Sequence, residues 1–254
     1  MSRLLPIITI FAALVIWEIS VAYLNIPVYL LPAPTLIAGQ LLNPEISWVD
    51  HTTVTIYEVV VGFALALIVG VGLAIALSAS RLFRAAFYPL ILIAQLVPKI
   101  AIAPIILIWL GFGDSPKILI AFLIAFFPIV IDTSTGLNTV SPEVMDMVRA
   151  MRAPRWRIYA KIRLPAALVH IFGGMKVAMT LAVIGAVVAE FLGAEKGLGY
   201  LLVISGTYAN TPMGFAALLI LTLAGMMLYA AILIVERLTI PWYFKPREEK
   251  LVIS

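Results

Sequence analysis

Two long uncharged segments constrain the fold of this chain more than any other feature. Residues 59–80 contain no charged residue over 22 positions, and residues 197–235 contain none over 39. A helix that crosses the hydrocarbon core of a bilayer needs about 20 apolar residues. Only 12% of the 254 residues are charged and the mean hydropathy is +1.12, which leaves too little polar surface for a water-soluble globule. The sequence therefore predicts an all-α polytopic membrane protein.

Charged and Pro/Gly-rich segments divide the chain into six predicted transmembrane helices. These cover residues 4–25, 55–80, 85–113, 117–138, 164–190 and 212–236. We interpret residues 1–254 as one transmembrane domain with an N-terminal anchor helix (4–25), a five-helix core (55–236) and a loop at 139–163. The first helix resembles a secretory signal, but Glu18 interrupts it and no small-x-small cleavage site follows, so we expect it to be retained. Pro98 and Pro104 predict a kink in the third helix.

The distribution of Lys and Arg predicts the orientation. Thirteen of them fall in the N-terminus, the 81–84 turn, the 139–163 loop and the C-terminal tail, whereas the opposite loops hold only Lys117 and Lys196. Because cytoplasmic loops are enriched in these residues, both termini are expected in the cytoplasm. The net charge of +4 is then a consequence of membrane topology, and no nucleic-acid partner is expected.

The 139–163 loop is more organised than its charge requires. Ser141, Pro142 and Glu143 form a helix start, with a capping hydroxyl, a proline at the first position and an acid in the first turn. An apolar stripe follows at helical spacing: Val144, Met147, Val148 and Met151. Pro154 is expected to begin a second helix, so that the loop forms a helix-turn-helix outside the hydrocarbon. From these residues alone, it is a docking site, an amphipathic hairpin on anionic lipid, or an ordinary basic loop.

The spacing within this loop resembles that of permeases of binding-protein-dependent ABC importers. These carry E-A-A, three residues, G, nine residues and I-x-L-P in a cytoplasmic loop. With Leu164-Pro165 aligned, Ile162 matches the isoleucine, Arg152 takes the glycine position and residues 146–148 take the E-A-A position. The acid is kept as Asp146, whereas the small residues and the glycine are replaced. Further segments are similar to the branch that imports nitrate, sulfonates, taurine, bicarbonate or thiamine precursors: LPAP at 31–34, Gly62-Phe63, PKIAIAPIILIWLGFGDSPK, FFPIVIDTSTGL, LPAALVHIFGGMKVA and VVAEFLGAEKGLGYLL.

The resemblance implies a type I importer permease in a bacterial inner membrane. It implies a homodimer with two cytoplasmic P-loop ATPases, which use ATP and Mg²⁺, and an extracytoplasmic solute-binding protein, expected to dock on residues 43–51 and 193–199. The ATPase would contact a coupling helix, and the residues assigned to this coupling are Glu143, Val144, Asp146, Met147, Val148, Met151, Arg152, Ala153, Pro154, Ile162, Leu164 and Pro165.

The residues themselves agree that this chain performs no catalysis. No G-x-x-x-x-G-K-[ST] segment occurs, so the cradle for ATP phosphates is missing. We therefore expect no catalytic residue and no cofactor in this chain. The only histidines, His51 and His170, give little support to a metal site.

Charged residues within the predicted helices have two interpretations. Lys99 and Asp132, with Pro98 and Pro104, are candidates for the translocation path, and the alternative is a structural ion pair or snorkelling near a helix end. The structural interpretation is favoured for Glu18, Glu58, Lys176 and Glu190. Small residues at 62, 66 and 70 form a seam for close helix packing, within the chain or between two copies.

A rival interpretation is a gradient-driven secondary transporter or channel, and a membrane scaffold is a third. Internal inverted repeats would favour the secondary transporter, but the two halves show no convincing similarity. The substrate stays open between a sulfonate, a small inorganic anion and a heterocyclic vitamin precursor.

Overall fold

A computed structural model of the chain describes residues 5–244, which are helical with no strand in that range. The remaining residues, 1–4 and 245–254, carry four of the cationic residues counted for orientation and lie outside the described range. The helices are α1 (Leu5–Tyr23), α2 (Pro34–Leu41), α3 (Trp48–Ala79), α4 (Arg81–Leu96), α5 (Lys99–Leu110), α6 (Asp114–Gly136), α7 (Pro142–Ala150), α8 (Arg155–Ile158), α9 (Leu164–Gly193), α10 (Leu198–Thr207), α11 (Thr211–Thr239) and α12 (Pro241–Phe244).

The core of the fold is a close packing of α3, α6 and α9, and its geometry depends on small residues. A Cβ atom added to Gly62 would lie 2.7 Å from the Ala121 Cβ, and one added to Gly70 would lie 2.9 Å from the Ile129 Cγ2. Ala66, between these glycines, has no exposed surface. The seam at 62, 66 and 70 thus serves packing within the chain, where it lets α3 approach α6 closely.

The contacts between these helices fix their directions. Early α3 residues meet early α6 residues (Gly62 with Ala121) and late ones meet late ones (Gly70 with Ile129), so α3 and α6 run parallel. A Cβ atom on Gly185 of α9 would also contact Ala121, whereas one on Gly136 at the end of α6 would lie 2.8 Å from the His170 Cβ near the start of α9. The α9 helix is therefore antiparallel to both.

Parallel α3 and α6 require the chain between them to return across the membrane. This return is made by α4 and α5, which meet at an angle of 92°. Val97 is extended before Pro98, the conformation that a following proline favours. The kink predicted at Pro98 is confirmed, and it is a right angle. With this broken span counted as one, the structure has six candidate membrane spans, and Leu5 and Phe244 lie on the same side.

Three features of the fold differ from the sequence-based prediction. The short helices α2 and α10 were not predicted, because each is too short to cross a bilayer and neither has a strong apolar period. Helix α3 begins at Trp48 instead of residue 55, which moves Glu58 several turns into the helix. The helix predicted to begin at Pro154 does not end outside the hydrocarbon, since α8, a π-helical turn at Tyr159–Arg163 and α9 form one continuous helix, Arg155–Gly193.

Candidate functional site: the 139–163 loop and the intramembrane charges

Helix α7 begins as its sequence predicts. The Ser141 hydroxyl accepts a hydrogen bond of 3.5 Å from the Val144 N–H, and Pro142 occupies the first turn. The pKa of the Glu143 carboxyl is lowered, first by a hydrogen bond from its own backbone N–H and then by one from the Ser141 hydroxyl. A negative charge at this position is also stabilised by the positive end of the helix dipole. The N-terminus of α7 is therefore well fixed although it is fully exposed.

The apolar residues of α7 divide between two faces. Val144, Met147 and Met151 are 39%, 58% and 73% exposed and form one uncovered patch. Val148, predicted to belong to the same stripe, is buried instead and packs with Met145 in a cluster that holds the loop together. Helical spacing identifies the apolar residues of α7 but cannot show that Val148 contacts the following helix. The assignment of Val148 to ATPase coupling stays a prediction.

The turn after α7 is a Schellman motif. The Ala153 N–H donates to the Val148 carbonyl at 3.4 Å, and the Arg152 N–H donates to the Arg149 carbonyl at 2.9 Å, the two hydrogen bonds that define this helix end. Arg152 has a φ of +51°, the left-handed conformation that glycine adopts most easily. The position aligned with the family glycine therefore has the backbone conformation of a glycine while carrying an arginine.

Leu164 and Pro165 lie where the loop enters the membrane. Proline has no N–H, and its ring excludes the carbonyl four residues earlier. Directly before Pro165 the helix widens to a π-helical turn, in which the Leu164 N–H donates to the Tyr159 carbonyl five residues earlier. This local widening accommodates the proline without ending the helix. Ile162, on the same turn, packs against the cluster of Met145, Val148 and Ile158.

Two charged residues of α7, Asp146 and Arg149, are exposed. Asp146 and Arg149 form an ion pair of 2.9 Å, with 71% and 60% of their side chains exposed. Pro154 caps α8 in an extended conformation without a side-chain hydrogen bond. Such an exposed ion pair contributes little to stability, so both charges remain available to a partner.

The translocation-path candidates occupy the bend of the broken span and the last turns of α6. Pro98 lies at the corner, Lys99 opens α5 and Pro104 lies inside α5. The Lys99 ammonium donates to the Gln95 carbonyl and lies 4.4 Å from the centre of the Phe127 ring. Lys99 thus satisfies a carbonyl that the broken helix leaves free. Within the described part of the chain, its charge has no carboxylate partner within 4.0 Å and faces an aromatic ring.

Asp132 lies half-buried in α6 against Gly174 of α9; a Cβ atom on Gly174 would lie 3.0 Å from the Asp132 Cβ. Within residues 5–244, Asp132 forms no ion pair within 4.0 Å. A structural pair between Lys99 and Asp132 is therefore not formed in this conformation. Their role in a translocation path stays a prediction.

Two other intramembrane charges do form a structural pair. The Lys117 ammonium lies 2.6 Å from the Glu58 carboxylate, with side-chain exposures of 6% and 0%, and 3.5 Å from Asp114. Lys117 was assigned to an outer loop in the sequence analysis, and this was wrong, because α6 already begins at Asp114. The structural interpretation of Glu58 agrees with this pair. Glu58 was expected near a helix end, but it is buried inside α3.

A second polar cluster fastens the outer end of α9 to the loop that follows. The buried Glu190 carboxylate accepts hydrogen bonds from the Thr55 hydroxyl at 2.6 Å and from the Gly199 N–H. The Thr55 hydroxyl also accepts from the Leu198 N–H at 2.8 Å, and His51 Nδ1 accepts from the Gly197 N–H at 3.0 Å. Glu190 thus has the structural role expected of it. The participation of Thr55 and His51 was missed, and no local sequence signal indicates it.

The other two charges also have partners. Lys176 lies 2.7 Å from the Glu236 carboxylate of α11, and Glu18 accepts hydrogen bonds from the Thr35 hydroxyl at 2.7 Å and the Thr35 N–H at 3.1 Å. These contacts tie α11 to α9 and α1 to the start of α2. Among residues 5–244, no three His, Cys, Asp or Glu side chains come together as metal ligands.

Comparison with known proteins agrees with this architecture. Residues 66–244 match the family described as "Binding-protein-dependent transport system inner membrane component". The chain is 36% identical to a riboflavin transport system permease of Chloroflexus aurantiacus, over 92% of this chain and 88% of that protein. It is 33% identical to a formylaminopyrimidine transport permease of Halalkalibacterium halodurans, over 93% and 95%. An aliphatic sulfonate permease of Bacillus subtilis matches at 29%, over 89% and 83%.

The fold also matches a solved structure. A chain of the methionine ABC transporter MetNI, in an inward-facing conformation, aligns with a TM-score of 0.59 at 19% identity, over 75% of this chain and 99% of that chain. Its similarity supports the fold alone. Family, relatives and fold agree with the resemblance found in the loop, and the chain belongs to the inner-membrane permeases of binding-protein-dependent ABC importers.

Proposed function

We propose that the exposed face of α7 couples this permease to a separate cytoplasmic ATPase. The observation that carries the proposal is the division of α7 into two apolar faces. Val148 and Met145 are buried and fix the helix to the rest of the loop. Val144, Met147 and Met151, on the other face of α7, are exposed. An exposed apolar patch rimmed by charges is typical of a protein-interaction site.

The proposed mechanism involves no covalent chemistry in this chain. Two P-loop ATPases bind ATP with Mg²⁺ and close, α7 moves with them, and the movement passes through the continuous helix Arg155–Gly193 to the core. A second copy of the permease completes the translocation path, to which Lys99, Asp132, Pro98 and Pro104 are assigned. An extracytoplasmic binding protein delivers the solute near residues 43–51 and 193–199.

The coupling role is tested by removing the exposed face while keeping the buried one. The variant Val144→Ser/Met147→Ser/Met151→Ser with Asp146→Asn should reach the membrane in normal amount. We expect a P-loop ATPase to co-purify with the parent in stoichiometric ratio in mild detergent and to be lost from this variant. The matched control is Trp156→Ser, which removes an exposed apolar side chain of the same loop outside α7. Full retention of the ATPase by the α7 variant would show that α7 is not the docking site.

For the substrate we propose a nitrogen heterocycle of the vitamin or vitamin-precursor class, ahead of a sulfonate, taurine or a nitrate-like anion. The support is that relatives named for riboflavin and formylaminopyrimidine transport share 36% and 33% of their residues with this chain, against 29% for the sulfonate permease. The cognate binding protein, co-isolated with the permease, would be titrated with pyrimidines, flavins, taurine and nitrate by calorimetry. Tight binding of taurine or nitrate with no heterocycle bound would refute this assignment.

A further inference from the structure

A cavity of about 810 Å³ lies between the inner end of α3, the start of α4 and the 139–163 loop. Four of the side chains that line it carry guanidinium groups, from Arg81, Arg149, Arg155 and Arg163, and none of its lining residues within 5–244 carries a carboxylate. Its volume falls within the range of ~300–1,000 Å³ that is usual for small-molecule sites. The uncovered face of α7 is a different surface, because its residues Val144, Met147 and Met151 do not line this cavity.

The charge in this cavity is largely uncompensated. Among the residues that the structure describes, Arg149 is the one of these four arginines that pairs with a carboxylate, that of Asp146. Within residues 5–244, Arg81, Arg155 and Arg163 have no carboxylate within 4.0 Å. Like charges around one cavity repel each other, so a bound anion would lower the energy of the loop.

Among the cavity arginines, Arg163 has the side chain that is most firmly positioned to bind such an anion. Its Nη1 donates to the Ser78 hydroxyl at 3.0 Å and to the Tyr159 hydroxyl at 3.2 Å, while the Tyr159 hydroxyl donates to Ser78 at 3.2 Å. These partners are neutral and orient the guanidinium without neutralising it. Its Nε is buried and has no hydrogen-bond partner in the described part of the chain. A snorkelling arginine would extend into water, whereas this one is fixed on the π-helical turn, a feature frequent at functional sites.

We propose that this cavity binds a phosphate group through Arg163, Arg81 and Arg155, and that the phosphate belongs to the headgroup of an anionic phospholipid. Guanidinium groups form strong, geometrically matched hydrogen bonds to phosphate. Two observations favour a lipid over free phosphate. Ser78 to Arg81 mark the inner end of a membrane-spanning helix, where lipid phosphates lie, and Met145, Ile158 and Ala79 add an apolar wall that suits a glycerol and acyl chain. The site does not depend on the coupling role of α7.

The test measures lipid retained by the purified full-length chain. The chain is reconstituted in nanodiscs of phosphatidylcholine mixed with phosphatidylglycerol, an anionic lipid that attracts basic segments. It is then extracted, and the bound lipid is quantified by native mass spectrometry. Each arginine near a lipid surface contributes about 1 kcal/mol, or roughly fivefold in affinity. Arg81→Gln/Arg163→Gln should therefore lower phosphatidylglycerol retention by about 25-fold. The control Arg157→Gln/Arg237→Gln changes the net charge equally with exposed arginines outside the cavity and should retain the lipid.

Further measurements distinguish a lipid site from free phosphate, diffuse surface charge and a protein-docking site. If inorganic phosphate at millimolar concentration slows hydrogen exchange at 155–163 in the parent and phosphatidylglycerol does not, the anion is free phosphate and the lipid assignment is wrong. If both double variants lose lipid equally, the effect is diffuse surface charge and the site is wrong. If the cavity variant keeps the lipid but loses the partner ATPase, the cavity is a protein-docking site and the proposal is overturned. Should the double variant fold poorly, Tyr159→Phe/Ser78→Ala keeps every charge while releasing Arg163, and a measurable loss of retention is still expected.

Discussion

Replacing Lys117 by methionine should destabilise the protein severely, because it leaves a fully buried carboxylate without its partner. The Lys117 ammonium lies 2.6 Å from Glu58, whose side chain has 0% exposure. Removing one member of a buried ion pair costs about 3–5 kcal/mol, since the remaining charge stays desolvated. Such a loss is a large fraction of the roughly 5–15 kcal/mol by which most proteins are stable.

The expected change in melting temperature follows from the size of the chain. A loss of 1 kcal/mol lowers Tm by about 2–4 °C in proteins of 150–250 residues, so Lys117→Met should lower Tm by about 6–20 °C. The assay is thermal unfolding in mild detergent, followed by intrinsic fluorescence and by size-exclusion recovery. The double variant Lys117→Met/Glu58→Met removes both charges and should recover most of the loss, because well-packed apolar residues often replace a buried pair without cost.

Arg149→Met is the matched control, because it breaks an ion pair of similar length whose side chains are 60% and 71% exposed. Its cost should stay within about 1 kcal/mol, as for other exposed pairs. If Lys117→Met melted within about 2 °C of the parent, or if the double variant were less stable than the single one, the structural role assigned to this pair would be refuted.

Three further predictions concern backbone and packing. Arg152→Gly should relieve the left-handed strain at φ +51°, worth about 1 kcal/mol, and slow hydrogen exchange around residues 150–154; faster exchange would contradict the assignment. Gly70→Ala should destabilise the α3–α6 contact. Gly72→Ala, whose new Cβ meets nothing within 4 Å, should be neutral or slightly stabilising. Equal melting temperatures of the two variants would disprove the role of the seam in packing α3 against α6. The pKa of Glu143 is lowered from its ordinary value of 4.5, so its contribution to α7 is present above about pH 4.5 and is lost as the pH falls through the lowered pKa. Exchange protection of α7, corrected for intrinsic rates, should fall with this acidification in the parent but not in Glu143→Gln.

The sequence predicts the number of spans, the bend at Pro98 and the start of α7, because each depends on local features. Charge-free length identifies a span, and a proline or a capping serine acts within one helical turn. The partner of Glu58 could not be predicted in this way, since Lys117 reaches it only through the parallel register of α3 and α6. The same holds for Thr55 and His51, which meet residues more than 140 positions away in sequence. The burial of Val148 could not be predicted for the same reason, because it depends on the position of Ile158 across a turn.

The continuous helix Arg155–Gly193 connects the 139–163 loop to the outer end of the molecule. Its 39 residues span roughly 58 Å at 1.5 Å per residue, and a tilt of about 5° at one end would displace the other by about 5 Å over that length. One end carries the basic loop, and the other carries Glu190, whose carboxylate holds the amide of Gly199. A force on the outer loop therefore acts on the same helix, Arg155–Gly193, whose inner end leads to α7. Coupling between two sites is reciprocal. Under the proposed function, a binding protein at residues 193–199 should therefore alter the affinity of the cytoplasmic loop for its ATPase by the same factor as the ATPase alters the outer site.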